Sequence, residues 1–195
     1  MVNETQNKYS IGLDSWIIQD GNYDNFEAGK DYFFAVEFYS KSIQKSEKRG
    51  AVCTHLFSGL HRIEAEVVFT GPECWIIDIG FLAYSKAGNK DGFKAGDRVG
   101  MEAYLGIDPF YYFEELQAVK DIPAMIYHWH LGQILLDTTP WITKKNKRGE
   151  AVRIRNVSES SSKQIGRTNA WDDDDGSAAY ILEVNLLPDE PKRRR

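Results

Sequence analysis

The chain of 195 residues holds only two cysteines, Cys53 and Cys74. A disulfide-stapled scaffold is therefore excluded, and the two thiols are expected to be reduced and partly buried. No apolar run approaches the roughly 20 residues needed to cross a bilayer as a helix. The start, MVNETQNKYS, has no basic segment followed by an apolar one, so no secretory signal is legible and the expected compartment is the cytoplasm. Phosphate-cradling glycine loops of the Walker and Gly-x-Gly-x-x-Gly types are missing, as is the Gly-x-Ser-x-Gly nucleophile elbow. Neither cysteine sits in a catalytic word. Basic charge is short overall: the formal net charge is −5, so any polyanion must find a local patch.

What the chain has in quantity is large rings: ten Tyr, ten Phe and five Trp, 13% of residues. Such content suits sheets better than helices. Segments 10–19, 32–40, 60–70, 74–84, 98–107, 124–136 and 178–187 read as strands. In 98–107 the apolar residues Val99, Met101, Ala103, Leu105 and Ile107 alternate with the rest, which places them on one face. Segments 60–70 and 74–84, separated by Gly71-Pro72, read as an antiparallel pair. Asp108-Pro109 precedes a short helix within 110–120, with Asp108 in an N-cap arrangement. The expected fold is all-β: an antiparallel barrel with one short helix over residues 1–187. It carries a flexible charged loop at 144–177 and a disordered basic tail at 188–195.

Three words recur in order. WII begins at Trp16 and Trp75, F-x-A-G at Phe26 and Phe93, and a Glu-x-Tyr word at Glu37 and Glu102. Either a duplicated half-barrel (10–50 against 60–140 plus 178–187) or common barrel grammar accounts for them. In that grammar a Phe plugs a barrel end and a Gly starts the next strand. The pattern from residue 60 to 107 resembles five-stranded Greek-key barrels of the OB type.

Five features bear on function. An aromatic face including Trp16, Tyr23, Tyr111, Tyr112 and Trp129 would serve a protein partner or a small ligand, and a binding module of this kind is the leading expectation. Residues 144–167 hold eight basic residues against two acidic ones, and the tail Lys192 to Arg195 adds four more. A strip of Lys144, Lys145, Lys147, Arg148, Arg153 and Arg155 on an aromatic-rich barrel is the alternative, a single-stranded nucleic-acid binder. His128 and His130, two apart on a strand, share one face and suggest a divalent-metal enzyme as a third reading. Cupin-type barrels also begin with His-x-His. The carboxylate they place a few residues on is lacking here, where Ile134 and Leu135 stand, and no His follows. No other cofactor is expected, and no membrane partner. Lastly, Asp78 lies within the apolar run WIIDIGF, where capping a loop or meeting Arg62 or Arg98 would satisfy it. The acidic run Asp172 to Asp175 fails the EF-hand register and reads as a solvated loop.

Overall fold

Alternation with a period of two dominates this chain, and strands follow from it. The computed structural model describes residues 8–86, 89 and 92–193. The strands are β1 (Lys8–Asp14), β2 (Asp31–Phe34), β3 (Val36–Lys45), β4 (Val52–Phe57), β5 (Leu60–Thr70), β6 (Trp75–Asp78) and β7 (Leu82–Ser85). They continue with β8 (Arg98–Ile107), β9 (Tyr127–Asp137), β10 (Trp141–Lys145), β11 (Ala151–Arg155), β12 (Ser162–Ile165) and β13 (Ala179–Leu186). Two short helices, α1 (Ser15–Gln19) and α2 (Tyr111–Glu114), complete the regular structure together with three single 3₁₀ turns. Among the described residues no helix is long and apolar enough to cross a membrane.

Five strands close on themselves. β5 pairs with β6, β6 with β7, β7 with β3, β3 with β8, and β8 back with β5. All of these contacts are antiparallel except β3 with β7. The barrel therefore presents no free edge within the ring, the liability that open sheets must guard. The inward residues are the ones the alternation selects: Val99, Met101, Ala103, Leu105 and Ile107 of β8 are all buried, facing Ile63, Ala65 and Val67 of β5.

A second layer grows from the barrel. β1 touches β8 in parallel at Gly12 and Gly106, then pairs with β13, which pairs with β9. The far edge of β9 is shared: β2 takes Tyr127 to His130 and β12 takes Ile134 to Asp137. One continuous core fills the barrel and the space under this side sheet. Its centre is aromatic. Trp129 stacks on Phe34 with ring centroids 5.4 Å apart and meets Tyr9, Phe81 and Tyr127 edge-on. Its indole N–H donates to the Phe34 carbonyl at 3.1 Å.

Several elements differ from the sequence expectation. The strand expected over 10–19 stops at Asp14, and Trp16-Ile17-Ile18 lies in α1. Ser15 Oγ donates to the Gly176 carbonyl, and Gln19 Nε2 donates to the carbonyls of Ala170 and Gly176. These distant contacts hold the turn where local propensity favoured a strand. The second WII, at Trp75, is in strand β6. Both F-x-A-G phenylalanines are buried: Phe26 packs on Tyr32 and Phe93 on Trp75. Segment 144–177 is not a loop throughout, since it contains most of the β10–β11 hairpin and strand β12. Within the segment expected as a disordered tail, Lys192 exchanges backbone hydrogen bonds with Ile126, and the Arg193 guanidinium donates to the Ile122 carbonyl. Arg194 and Arg195 lie outside the described residues.

The expected strand 74–84 is divided at residues 79–81. Asp78 accepts the Gly80 N–H at 2.9 Å, so this carboxylate caps the turn it sits beside. Gly80 has φ +100°, and a Cβ there would lie 2.9 Å from the Tyr9 hydroxyl. Gly80→Ala is therefore expected to lower stability by about 2 kcal/mol, readable by chemical denaturation. A neutral result would mean that the turn relaxes without cost.

Candidate functional site

The two histidines behave as their spacing predicts. His128 and His130 project from one side of β9, and Trp129 between them turns into the core. β2 runs beside them in register, so Asp31 stands opposite His130 and Phe33 opposite His128. Asp31 joins the pair: its Oδ1 lies 2.7 Å from His130 Nδ1, and its Oδ2 lies 3.6 Å from His128 Nε2. His128 Nδ1 contacts the Asp189 carboxylate from the C-terminal segment. The His128 ring also stacks on Phe33 with centroids 4.2 Å apart, and the Lys192 ammonium sits 4.6 Å from the Phe33 ring centroid. His128 Nδ1 and His130 Nδ1 thus each face a carboxylate. Among the described residues no group of three or more His, Cys, Asp or Glu side chains is arranged to hold a metal. The other candidate metal ligands, Glu37, His55, His61, Asp78 and Glu102, lie on β3, β4, β5, β6 and β8.

Asp31 and Phe33 also border a pocket of about 400 Å³. Its walls are Tyr23, Phe26, Tyr32, Phe33 and Ile126, with Asp24, Asp31 and Lys192 supplying charge. Tyr32 is held in place through its hydroxyl, which accepts the Glu27 N–H at 2.7 Å. The C-terminal segment forms one side of the pocket through the Ile126–Lys192 bridge.

The five aromatic residues expected to share a face do not. Tyr111, Tyr112 and Trp129 are core residues. Tyr112 bonds Pro123 and Met125 through its hydroxyl, and Tyr111 lies under the Lys86 ammonium. Tyr23 belongs to the pocket just described. Trp16, 48% exposed, lines a separate cleft. This cleft, about 260 Å³, follows the seam where β1 meets the barrel. Tyr39 and Tyr104, a cross-strand pair on β3 and β8, form its wall, and both are exposed. Asp14, Glu37 and Asp137 contribute carboxylates.

Glu37 faces Gly106 across the β3–β8 ladder and occupies the space that this residue leaves by having no side chain. Burial, followed by the nearby carboxylates of Asp108 and Asp14, pushes its carboxyl up to about 7, and Lys86 opposes the shift. Burial raises Asp14 as well. Asp108 is raised by burial against four hydrogen bonds that favour its charged form. Three of these come from the Tyr84 hydroxyl at 2.5 Å, the Tyr112 N–H at 3.0 Å and the Phe113 N–H at 3.3 Å. Asp108 thereby satisfies first-turn N–H groups of α2, although the N-cap position itself is held by Phe110, at φ 73°, and not by Asp108 as expected.

The basic strip is a two-stranded ribbon standing apart from the main sheet. Trp141 pairs with Arg155, Thr143 with Arg153, and Lys145 with Ala151. Cross-strand partners share a face, and on this face Arg153 and Arg155 both lie over the Trp141 ring, at 4.9 Å and 4.0 Å. The root is fixed by Asp174, which accepts from the Trp141 indole at 2.9 Å and from Arg155 at 2.7 Å. Arg155, which also lies 3.8 Å from the Asp137 carboxylate, is therefore a structural residue. Among the described residues, Lys144, Lys145, Lys147, Arg148 and Arg153 form no ion pair.

Comparison of the chain with protein-family models, with curated proteins and with solved structures finds no match.

Proposed function

We propose that this β-barrel protein is a binding module whose ligand site is the aromatic pocket beside the His128–Asp31–His130 network. One observation carries the reading. A concave space of about 400 Å³ is walled by four aromatic rings and Ile126, with a few charged groups at its edge. That combination of apolar walls and sparse, convergent polar groups is the usual make-up of a small-molecule site. The ligand it fits is small and flat, with a hydrogen-bonding group for Asp31 or Lys192. The five-stranded closed ring, whose strands do not follow one another in chain order, supports the OB-like description, a fold used for ligand binding rather than for one chemistry.

Phe33→Ala tests the pocket, because Phe33 is a partly exposed wall residue whose loss leaves the core intact. In a thermal-shift screen of small planar heterocycles, ligands that raise the melting temperature of the native protein should lose at least tenfold in affinity for this variant, about 1.4 kcal/mol. Hits that stabilise the variant equally, or a screen without hits, would remove the proposal.

The basic ribbon favours a second reading, nucleic-acid binding. The ribbon carries Lys144, Lys145, Lys147 and Arg148, which form no ion pair among the described residues and are available to the phosphates of a single strand. Changing Lys144, Lys145, Lys147 and Arg148 together to Ala should weaken binding of a single-stranded oligonucleotide. Its salt dependence should flatten by roughly 0.7 in log–log slope for each phosphate that is no longer neutralised. Fluorescence anisotropy at two salt concentrations reads both effects, and salt-independent anisotropy would end this reading.

A further inference from the structure

The cleft at the seam of barrel and side sheet is separate from the pocket above. We infer that it is a docking site for an arginine side chain of a protein partner, taken up between the Tyr39–Tyr104 pair and the Glu37 carboxylate.

Three observations converge on that occupant. Trp16, Tyr39 and Tyr104 are 48%, 55% and 44% exposed, although their strands and helix had the core available for large rings. Tyr and Trp exposed together on one cleft are the residue types that anchor protein interfaces, with Arg their frequent counterpart. The size of the cleft, about 260 Å³, falls short of what a cofactor or drug-sized ligand needs, and matches one long side chain entering from outside. The charge is complementary: Asp14 and Glu37 line the cleft, no basic residue among the described ones lines it, and Asp137 at its edge is already paired with Arg155 at 3.8 Å. A planar guanidinium suits this arrangement better than an ammonium. It can lie flat on a tyrosine ring while its edge donates to a carboxylate.

The floor explains how a side chain could reach Glu37. Gly12 and Gly106 meet where β1 crosses beside β8, so backbone rather than side chain lies beneath the carboxylate. The charged and titratable groups around Glu37 are Asp14 at the end of β1, Asp108 after β8, and Lys86 and Tyr84 at the end of β7. Only Lys86 is cationic, and it lies over Tyr111. A guanidinium arriving in the cleft would favour the ionised form of Glu37. Arginine binding should therefore strengthen as pH rises between about 6 and 8.

The test uses the full chain and a capped Gly-Arg-Gly tripeptide as probe, with Gly-citrulline-Gly as its neutral isostere. Trp16 fluorescence and amide shifts in β3 and β8 report binding, with peptide raised to about 20 mM to reach weak affinities. The arginine peptide should bind about tenfold more tightly than the citrulline peptide, the effect of one charge-assisted contact. Its affinity should rise with pH. Both the charge preference and the pH dependence should vanish in Glu37→Gln, and binding itself should fall in Tyr104→Ala, with both variants confirmed folded by circular dichroism. Equal binding of the two peptides, a pH dependence that survives Glu37→Gln, or no shifts at all would each overturn the inference. The outcome is independent of the pocket beside Phe33, which Phe33→Ala probes separately.

Discussion

Trp129→Ala is expected to lower stability by about 4 kcal/mol and the melting temperature by about 10 °C. The indole is fully buried, stacked on Phe34 and enclosed edge-on by Tyr9, Phe81 and Tyr127. Truncation removes those ring partners, leaves a cavity between the barrel and the side sheet, and strands the Phe34 carbonyl that the indole N–H satisfies. His128→Ala, one residue away on the opposite face, should cost about 1 kcal/mol or less, because its partners Asp31 and Asp189 are solvent-facing. Calorimetry of the two variants side by side checks the contrast. Similar losses would mean that the outer face of β9 is as integral to stability as its inner face.

The second large effect is a pair of opposed pH dependences. Glu37 titrates near 7 in the folded protein against 4.5 for an ordinary glutamate. The folded state therefore holds its proton more tightly, and the stability this brings is complete below 4.5 and lost as pH rises through about 7. His61 is the reverse. Burial lowers it to about 4 from 6.5, its Nδ1–H donates to the Gly59 carbonyl, and its buried Nε2 has no partner among the described residues. Its contribution is present above 6.5 and lost as pH falls towards 4. Each amounts to about 3 kcal/mol over its full range. Their slopes oppose each other across the overlap, so the native profile should be flatter there than either group alone would give. Glu37→Gln should match the native protein near pH 4 and exceed it by up to about 3 kcal/mol near pH 8. His61→Leu should remove the acid-side loss and leave a profile that declines with pH, a trend that Asp14 and Asp108 reinforce since both are raised. Urea denaturation across pH reads all three profiles. A Glu37→Gln protein less stable than native at alkaline pH would refute the assignment.

How much of this could be read from the chain depends on the range of the interactions. β8 was legible because its alternation is complete, and all five residues assigned inward are buried. The shared face of His128 and His130 followed from the same period of two. Applied one residue further, that period also sends Trp129 inward, so it could not join an exposed aromatic face. Trp16-Ile17-Ile18 gave no periodic signal, and its helical turn is decided by carbonyls at Ala170 and Gly176. The ribbon at 141–155 was masked by its charge, since the pairing of Trp141 with Arg155 shows only in the folded register. Asp31 stood unnoticed because its link to His130 spans 99 positions. Tyr39 and Tyr104 left a clue that sequence alone could have yielded: both occupy solvent-facing positions of strands whose other face is apolar, an unusual place for a large ring.

The neighbours of β1 set an order of events during synthesis. This strand makes one parallel contact with β8, at Gly12, and its full seven-residue ladder is with β13. On the ribosome, the five strands of the closed ring are complete once Ile107 has emerged, whereas β1 waits for Ala179 to Leu186. β1, translated ahead of the ring strands, is thus expected to find its place after them. Until then Ile11 and Leu13, both destined for the core, remain available to chaperones or to neighbouring nascent chains.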